Sequence, residues 1–418
     1  KWGIFPGFQA SWVATNESWM AGLGFLNYLR LSAGVDVSGN DDLPYYATRS
    51  YFASSDYMGL ASGLTIAGIG NEKIQWERTR RINIGVDANL LNNRLGVRFN
   101  YFRSATDHLL MWQEMSYLSG LDKTWGNGGK LENRGFDVEA TGVVWASPSW
   151  QWQVGASVGH YKNKVTALPD GQRYMDTEIL GATVRTEIGR PANLFYGYKA
   201  QGVFSTSAEA QAAGLYIHDD NGVDRTAFEA GDMHFADLDG DHFITEADRM
   251  VIGDPNPDIY GNIFTSVQYR RLRLDVRFNY SLGNDIYNYT RQQLESGSRF
   301  MNQTTAFARR WQMEGQQTDI PRLSFQDPMG NSRFSDRWIE DGSYLRLKTV
   351  TLSYDLPVSS TFLQGLQFWV QANNVVTLTR YLGSDPEGTA LSAVLGQGID
   401  AGSLPQSRNF MVGIKINL

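Results

Sequence analysis

Hydrophobic and polar residues alternate with a period of two along much of the chain. From Leu272 to Leu282 the residues Leu272, Leu274, Val276, Phe278, Tyr280 and Leu282 share one parity, and Arg273, Asp275, Arg277, Asn279 and Ser281 share the other. Alternation sustained this long predicts a strand with one apolar and one polar face. The pattern returns at Leu29–Val37, Ile82–Leu90, Leu95–Tyr101, Phe136–Ala140, Trp152–Val158, Leu366–Ala372 and Phe410–Leu418. A further strand is expected from Tyr344 to Leu356, but there the parity slips. Leu345 and Leu347 fall on one parity, Val350, Leu352 and Tyr354 on the other, so a β-bulge is expected near Lys348–Thr349.

A soluble sandwich also alternates, so alternation alone leaves two architectures open. Run length and connection length separate them. The runs span about 9 to 12 residues, which suits a tilted membrane strand better than the usual soluble strand of about 5 or 6. Asn92-Asn93, Ser147-Pro148-Ser149 and Arg270-Arg271 are short links, and residues 357–365 are a modest one. Asn tolerates the positive φ that a tight hairpin needs. Between these links lie long stretches, roughly 38–75, 161–193, 202–258, 284–343 and 380–407, and short turns opposite long loops are the outer-membrane arrangement. Aromatic residues such as Trp76, Trp145, Trp150, Trp152 and Tyr269 fall near strand ends, where an interfacial girdle would sit. The expected fold is all-β: an antiparallel transmembrane β-barrel of about ten to twelve strands, with long extracellular loops and short periplasmic turns.

Composition fits this picture. The 418 residues include 43 Gly, 21 Phe, 20 Tyr and 12 Trp. No apolar run approaches the roughly 20 residues of a membrane helix, whereas barrel strands hide from hydropathy averages because they alternate. A net charge of −7 lacks the basic footprint of a nucleic-acid binder. The absence of Cys excludes disulfides, thiolate metal sites and cysteine nucleophiles. Lys1-Trp2-Gly3 follows neither Met nor an apolar leader, so the chain is expected to be a piece of something longer.

A set of short motifs in fixed order resembles one family. Ser343-Tyr344-Leu345-Arg346-Leu347-Lys348 with Leu352-Ser353-Tyr354 is the clearest. It is joined by Ser38-Gly39-Asn40, Trp76-Glu77-Arg78-Thr79, Asn127-Gly128-Gly129 with Glu132-Asn133-Arg134-Gly135, and Phe195-Tyr196-Gly197-Tyr198. Asn284-Asp285-Ile286-Tyr287-Asn288, Asp319-Ile320-Pro321-Arg322 and Asp385-Pro386-Glu387 continue the order. Together they resemble the C-terminal portion of SusC/RagA-family, TonB-linked outer-membrane transporters. The resemblance implies that residues 1–418 are the C-terminal segment of one barrel domain, with the plug and TonB box upstream. It also implies a SusD-like surface lipoprotein, TonB and outer-membrane lipid as partners, and pairs of transporter and lipoprotein that dimerise. Such barrels usually end on an aromatic residue, and this chain ends on Leu418.

Among candidate sites the sharpest is Asp237-Leu238-Asp239-Gly240-Asp241-His242-Phe243-Ile244-Thr245-Glu246-Ala247-Asp248. Its spacing matches an EF-hand-type calcium loop with ligands from Asp237, Asp239, Asp241, the Phe243 carbonyl, Thr245 and Asp248. Two departures stand out: His242 replaces the turn Gly, and Asp248 replaces the bidentate Glu. A bound Ca2+ would brace the 202–258 loop, and the alternative is a solvated acidic turn. The five His are scattered without ligand spacing, and neither a nucleophile elbow nor a phosphate loop occurs. Glu340-Asp341 reads as a loop charge pair rather than a catalytic couple, and no catalytic constellation is present.

Arg30, Asp36, Arg98, Gln153, Arg273, Asp275, Arg277 and Asn279 occupy polar-face positions and are expected to line a wet lumen, as substrate path or plug contact. The loop aromatics Trp125, Trp311 and Trp338 are candidates for stacking on substrate or partner. The functional expectation is non-enzymatic, TonB-dependent import of an oligomeric nutrient at the bacterial outer membrane, glycan first and peptide second. A passive porin and a soluble β-rich carbohydrate enzyme are the rivals.

Overall fold

In a strand successive side chains point to opposite faces, so each alternating run can bury one face and leave the other wet. The computed structural model describes residues 2–57, 61–116, 118, 120–121, 123–218, 224–357, 364–389 and 394–417, which leaves Leu418 outside the described residues. The long strands, numbered here in chain order, are β1 (Gly7–Val13), β2 (Leu26–Asn40), β3 (Glu77–Leu90), β4 (Leu95–Asp107) and β5 (Lys130–Ala146). They continue with β6 (Trp150–Ala167), β7 (Ile259–Tyr269), β8 (Leu272–Leu282), β9 (Tyr344–Leu356), β10 (Gly365–Thr379) and β11 (Asn409–Asn417). The chain divides into two compact units.

In the first unit β1 to β6 pair antiparallel in chain order, and β6 neighbours β7. The register carries the apolar parity from strand to strand: Leu31 lies opposite Val86, Val86 opposite Phe99, Phe99 opposite Val138, and Val138 opposite Val158. These rows are not packed into a protein core. Phe8, Trp12, Val35, Ile82, Ile84 and Trp152 are all exposed, and an apolar face this extensive requires a lipid covering. Gly155 on β6 lies where a Cβ would approach the Phe264 ring of β7 to 2.3 Å, so any larger residue there would have to displace that ring.

The short links at Asn92-Asn93, Ser147–Ser149 and Arg270-Arg271 are where the sequence places them, whereas most of the expected 357–365 link lies outside the described residues. Leu91–Arg94 joins β3 to β4, with Leu91, Asn92 and Asn93 all at positive φ, so the turn enlists Leu91 as well as the two Asn. At the Ser147–Ser149 turn the Trp150 N–H donates to Ser147 Oγ at 3.1 Å. β2 to β6 run 13 to 18 residues, longer than the apolar runs. Pairing continues past the apolar band, where outward positions become charged.

In the second unit β8, β9, β10 and β11 pair antiparallel, aligning Leu274, Leu352, Val370 and Val412 in one apolar row. The expected bulge is present. Arg277 pairs with Thr349 and Phe278 with Leu347, leaving Lys348 as the extra residue. The fully buried large side chains lie elsewhere, in the long connections: Trp338, Tyr287, Phe195, Phe235, Phe307 and Met233. All but Phe307 fall in two clusters, one around Phe204, Phe228, Met233 and Phe235, the other around Phe195, Tyr287, Phe334 and Trp338. Short elements carry them, including helix α1 (Ser207–Ala213), which has a Thr206–Glu209 capping box and Gly214 in the left-handed region. Helix α2 (Tyr289–Glu295) starts at Asn288, whose side chain accepts from the Arg291 N–H.

Candidate transport face, loop aromatics and acidic loop

On the polar face of the first unit four strands are tied by one chain of ion pairs. Arg30 Nη2 on β2 lies 2.7 Å from Asp87 Oδ2 on β3. Asp87 also accepts from Arg98 Nε on β4 at 3.0 Å, and Arg98 Nη1 reaches Glu139 Oε2 on β5 at 3.0 Å. These residues share one face because Arg30 registers with Asp87, Asp87 with Arg98, and Arg98 with Glu139. They and Gln153 line an open cavity of about 510 Å³. Of the residues expected on a lumen face, Arg30, Arg98 and Gln153 therefore meet around one space. Asp36 lies in a separate groove, where Asn83 Nδ2 donates to it at 3.4 Å. Asp87 and Glu139 were not singled out beforehand, although both sit on the polar parity of their strands.

In the second unit Arg273 Nε pairs with Asp275 two residues along the same strand face, at 3.0 Å. Arg277 is exposed and makes no ion pair among the described residues, and Asn279 is half-buried opposite Arg346. Polar side chains continue across this face, with Thr351 Oγ1 donating to Gln371 Oε1 at 3.2 Å.

The three loop tryptophans divide. Trp338 is wholly buried: its Nε1 donates to the Arg333 carbonyl at 3.1 Å, and the Arg337 guanidinium lies 4.4 Å from its ring centre. The expectation that it meets substrate or partner is corrected, because the loop folds over it as core. Trp311 is half-buried and anchored through Nε1 to the Ser205 carbonyl at 3.1 Å. Trp125 is half-buried, with its ring centre 4.3 Å from that of Trp112, which is 40% exposed. Lys123 sits 5.0 Å over the Trp112 ring. Trp112 was missed in the sequence because its hairpin, Leu110–Glu114 paired with Lys123–Asn127, lies inside a connection with no clear period.

In the acidic loop Asp237, Asp239 and Asp248 bring carboxylate oxygens within 4.8 Å of one another. His242 adopts φ 67°, so the turn normally made by Gly forms with His in the left-handed region. Asp248 is fully buried, and its two oxygens accept from the Leu238 and Thr245 N–H groups at 2.8 and 2.7 Å. Asp241 and Thr245 do not join the carboxylate group. Asp241 caps the Phe243 N–H at 2.6 Å, and Thr245 Oγ1 accepts from Ala247 at 3.2 Å. The Asp241 N–H favours the charged form of Asp239, yet burial and the charges of Asp241, Asp248 and Asp237 push this carboxyl above its ordinary value. Glu340 is structural, accepting from Arg291 Nη1 at 2.6 Å and the Leu382 N–H at 2.8 Å.

Long paired strands with an exposed apolar face, a polar face of ion pairs and long connections at one end define a transmembrane β-barrel wall. No family model matches the chain. TonB-dependent receptor P3 of Formosa agariphila is 29% identical across the whole of this chain and 42% of its own length. TonB-dependent receptor SusC of Bacteroides thetaiotaomicron is 24% identical across the whole chain and 40% of its own length. The solved structure of the RagAB peptide transporter matches with a TM-score of 0.79 and 24% identity, over 99% of this chain and 43% of that one. The chain thus spans about two fifths of the length of these relatives. It is homologous along its whole length to TonB-dependent receptors, SusC among them, as the motif order implies. Its fold is part of an outer-membrane transporter barrel, and its location is the bacterial outer membrane.

Proposed function

We propose that this chain supplies the C-terminal wall and outer loops of a single barrel that imports an oligomeric nutrient in a TonB-dependent way, without making or breaking bonds. The observation that carries this reading is homology over the whole chain to TonB-dependent receptors, including SusC. An N-terminal plug, a TonB contact and a SusD-like surface lipoprotein complete the reading, and the ion-paired polar face is its water-filled path or plug seat. Glycan is the favoured cargo: the exposed Trp112 ring, tilted against Trp125, offers an apolar surface that a sugar ring can cover. Peptide is the second reading, supported by the fold shared with the RagAB peptide transporter. Within the same proposal, Asp237, Asp239 and Asp248 hold a structural Ca2+ that braces the outer loop.

Extraction from native outer membranes in mild detergent, with mass spectrometry of everything that co-elutes, tests the assembly. Recovery with a plug-bearing segment and a surface lipoprotein is the expected result. Recovery of this chain alone, conducting ions by itself, would replace the importer with a passive porin.

A further inference from the structure

On the outward face of the first unit the apolar rows give way to cations at one end of four consecutive strands. On β3, Ile84 and Ile82 are followed by Arg80; on β4, Phe99 and Tyr101 are followed by Arg103. On β5, Val138 and Phe136 lead to Arg134; on β6, Val158 and His160 lead to Lys162 and then Lys164. The register aligns them. Arg103 lies opposite Arg134 and Arg134 opposite Lys162, one row beyond Tyr101, Phe136 and His160. With adjacent strands about 4.8 Å apart, these three cations start within about 10 Å of one another.

Only part of this charge is neutralised within the chain. Arg103 pairs with Glu132 at 2.8 Å and Arg80 with Asp107 at 3.0 Å. Arg134, Lys162 and Lys164 are exposed and form no ion pair among the described residues, although Glu132, opposite Lys164, also feels the charges of Arg134 and Lys164. The excess positive charge stands out in a chain of net charge −7. The opposite end of the same face carries aromatics instead, with Trp150 and Trp152 on β6 and Trp145 on β5. The cations lie at the end remote from the Leu91–Arg94 and Ser147–Ser149 turns, toward the long connections, and so meet the outer leaflet.

We propose that Arg80, Arg103, Arg134, Lys162 and Lys164 form a docking site for the phosphate headgroup of an anionic outer-leaflet lipid, one whose phosphate charge is not balanced by a cation in the same headgroup. Guanidinium and ammonium groups supply charge-assisted hydrogen bonds to phosphate oxygens. Tyr101 and Phe136, one row nearer the membrane centre, lie level with the start of the acyl chains. A free phosphate would need no apolar row beneath it, whereas a lipid uses both. This inference rests on the outer-membrane location and not on the proposed cargo.

The test uses the complete outer-membrane protein that carries this chain, purified in mild detergent, with phosphatidic acid as probe and phosphatidylcholine as the neutral comparison. The Arg134→Gln/Lys162→Gln double variant is compared with Lys73→Gln, an exposed change of the same sign outside the patch. At about 1 kcal/mol per cation near an anionic surface, the double variant binds phosphatidic acid about 30-fold more weakly. Lys73→Gln binds as the unmodified protein does, and the charge-keeping exchange Arg134→Lys/Lys162→Arg retains binding. Heat-modifiable gel migration, which reports a folded barrel, stays the same in every variant. Equal affinity in the double variant would overturn the proposal. So would equal binding of phosphatidylcholine, or displacement of the lipid by an equal concentration of inorganic phosphate.

Discussion

Arg346 is 2% exposed, on the polar face of β9 within the motif that most resembles the SusC/RagA family. Its partners come from the Asp385-Pro386-Glu387 motif: one guanidinium nitrogen bonds Asp385, and Nη1 reaches Glu387 Oε2 at 2.9 Å. Asp385 also accepts the N–H groups of Glu387 and Gln406, both at 2.9 Å, so one buried pair fixes the turn of the 380–407 connection. Two motifs noted separately in the sequence thus meet as one lock, which their spacing alone does not reveal. The Lys348 bulge contributes by presenting its Nζ to Gln406 at 2.7 Å. Burial by itself would raise the Asp385 carboxyl, but Arg346 and the two backbone donors outweigh it and hold the group below its ordinary 3.8. A depressed carboxyl stabilises the folded state fully above that ordinary value, and the contribution disappears as pH falls through the depressed value. Asp385→Asn leaves a buried guanidinium short of charge and is expected to cost about 3 kcal/mol. Limited proteolysis of the purified protein should show cleavage in 380–407 rising below about pH 4 in the unmodified protein, and already at neutral pH in Asp385→Asn. Equal resistance of the two proteins at pH 7 would remove the lock.

The strands and the acidic loop show what pattern can and cannot convey about an element. Period two located the long strands other than β1 and β7 because one face meets lipid and the other water, and it located the bulge because a parity slip is its signature. It gave strand lengths that are too short, because Arg80, Arg103, Arg134 and Lys162 interrupt the apolar parity while the ladder continues. It said little about the long connections. The buried Trp338, Tyr287 and Phe195 sit in short segments that no period marks, and they read as exposed loop until the contacts are known. The acidic loop was legible through its own spacing, yet of its four expected carboxylates only Asp237, Asp239 and Asp248 converge. Its carboxylates set up a divided prediction. Asp239 is exposed, and its Oδ1 accepts only the Asp241 N–H at 3.2 Å, so Asp239→Asn should weaken Ca2+ binding and leave the metal-free fold unchanged. Asp248 has both oxygens committed to backbone donors, so Asp248→Asn should lower stability with or without Ca2+. Ca2+ at about 100 times its dissociation constant would add about 2.7 kcal/mol to the unmodified protein, visible as a rise in Tm that a chelator reverses. An unchanged Tm would leave the loop as a solvated acidic turn.

At the scale of the whole molecule, the wall and the outer connections answer to different solvents and so divide the work. The wall presents exposed apolar rows to lipid and ion pairs such as Arg30–Asp87–Arg98–Glu139 to water, an arrangement that sets no cargo by itself. The connections carry their own buried clusters, which hold loop groups in fixed positions. Under the proposed importer reading, discrimination between glycan and peptide would fall to rigid groups on the connections, and Trp112 beside Trp125 is the pair to examine. Trp112→Ala removes an exposed ring while leaving the strand pairing of Leu110–Glu114 with Lys123–Asn127 intact. If the cargo is a glycan, loss of one stacking aromatic should weaken uptake about tenfold, seen as a higher half-saturation concentration for labelled oligosaccharide in growing cells. Peptide uptake measured in the same cells should be unaffected. A tenfold loss for peptide with none for oligosaccharide would reverse the order of the two readings. Loss of neither would move recognition off this hairpin, with the importer reading still to be judged on the partners that co-purify.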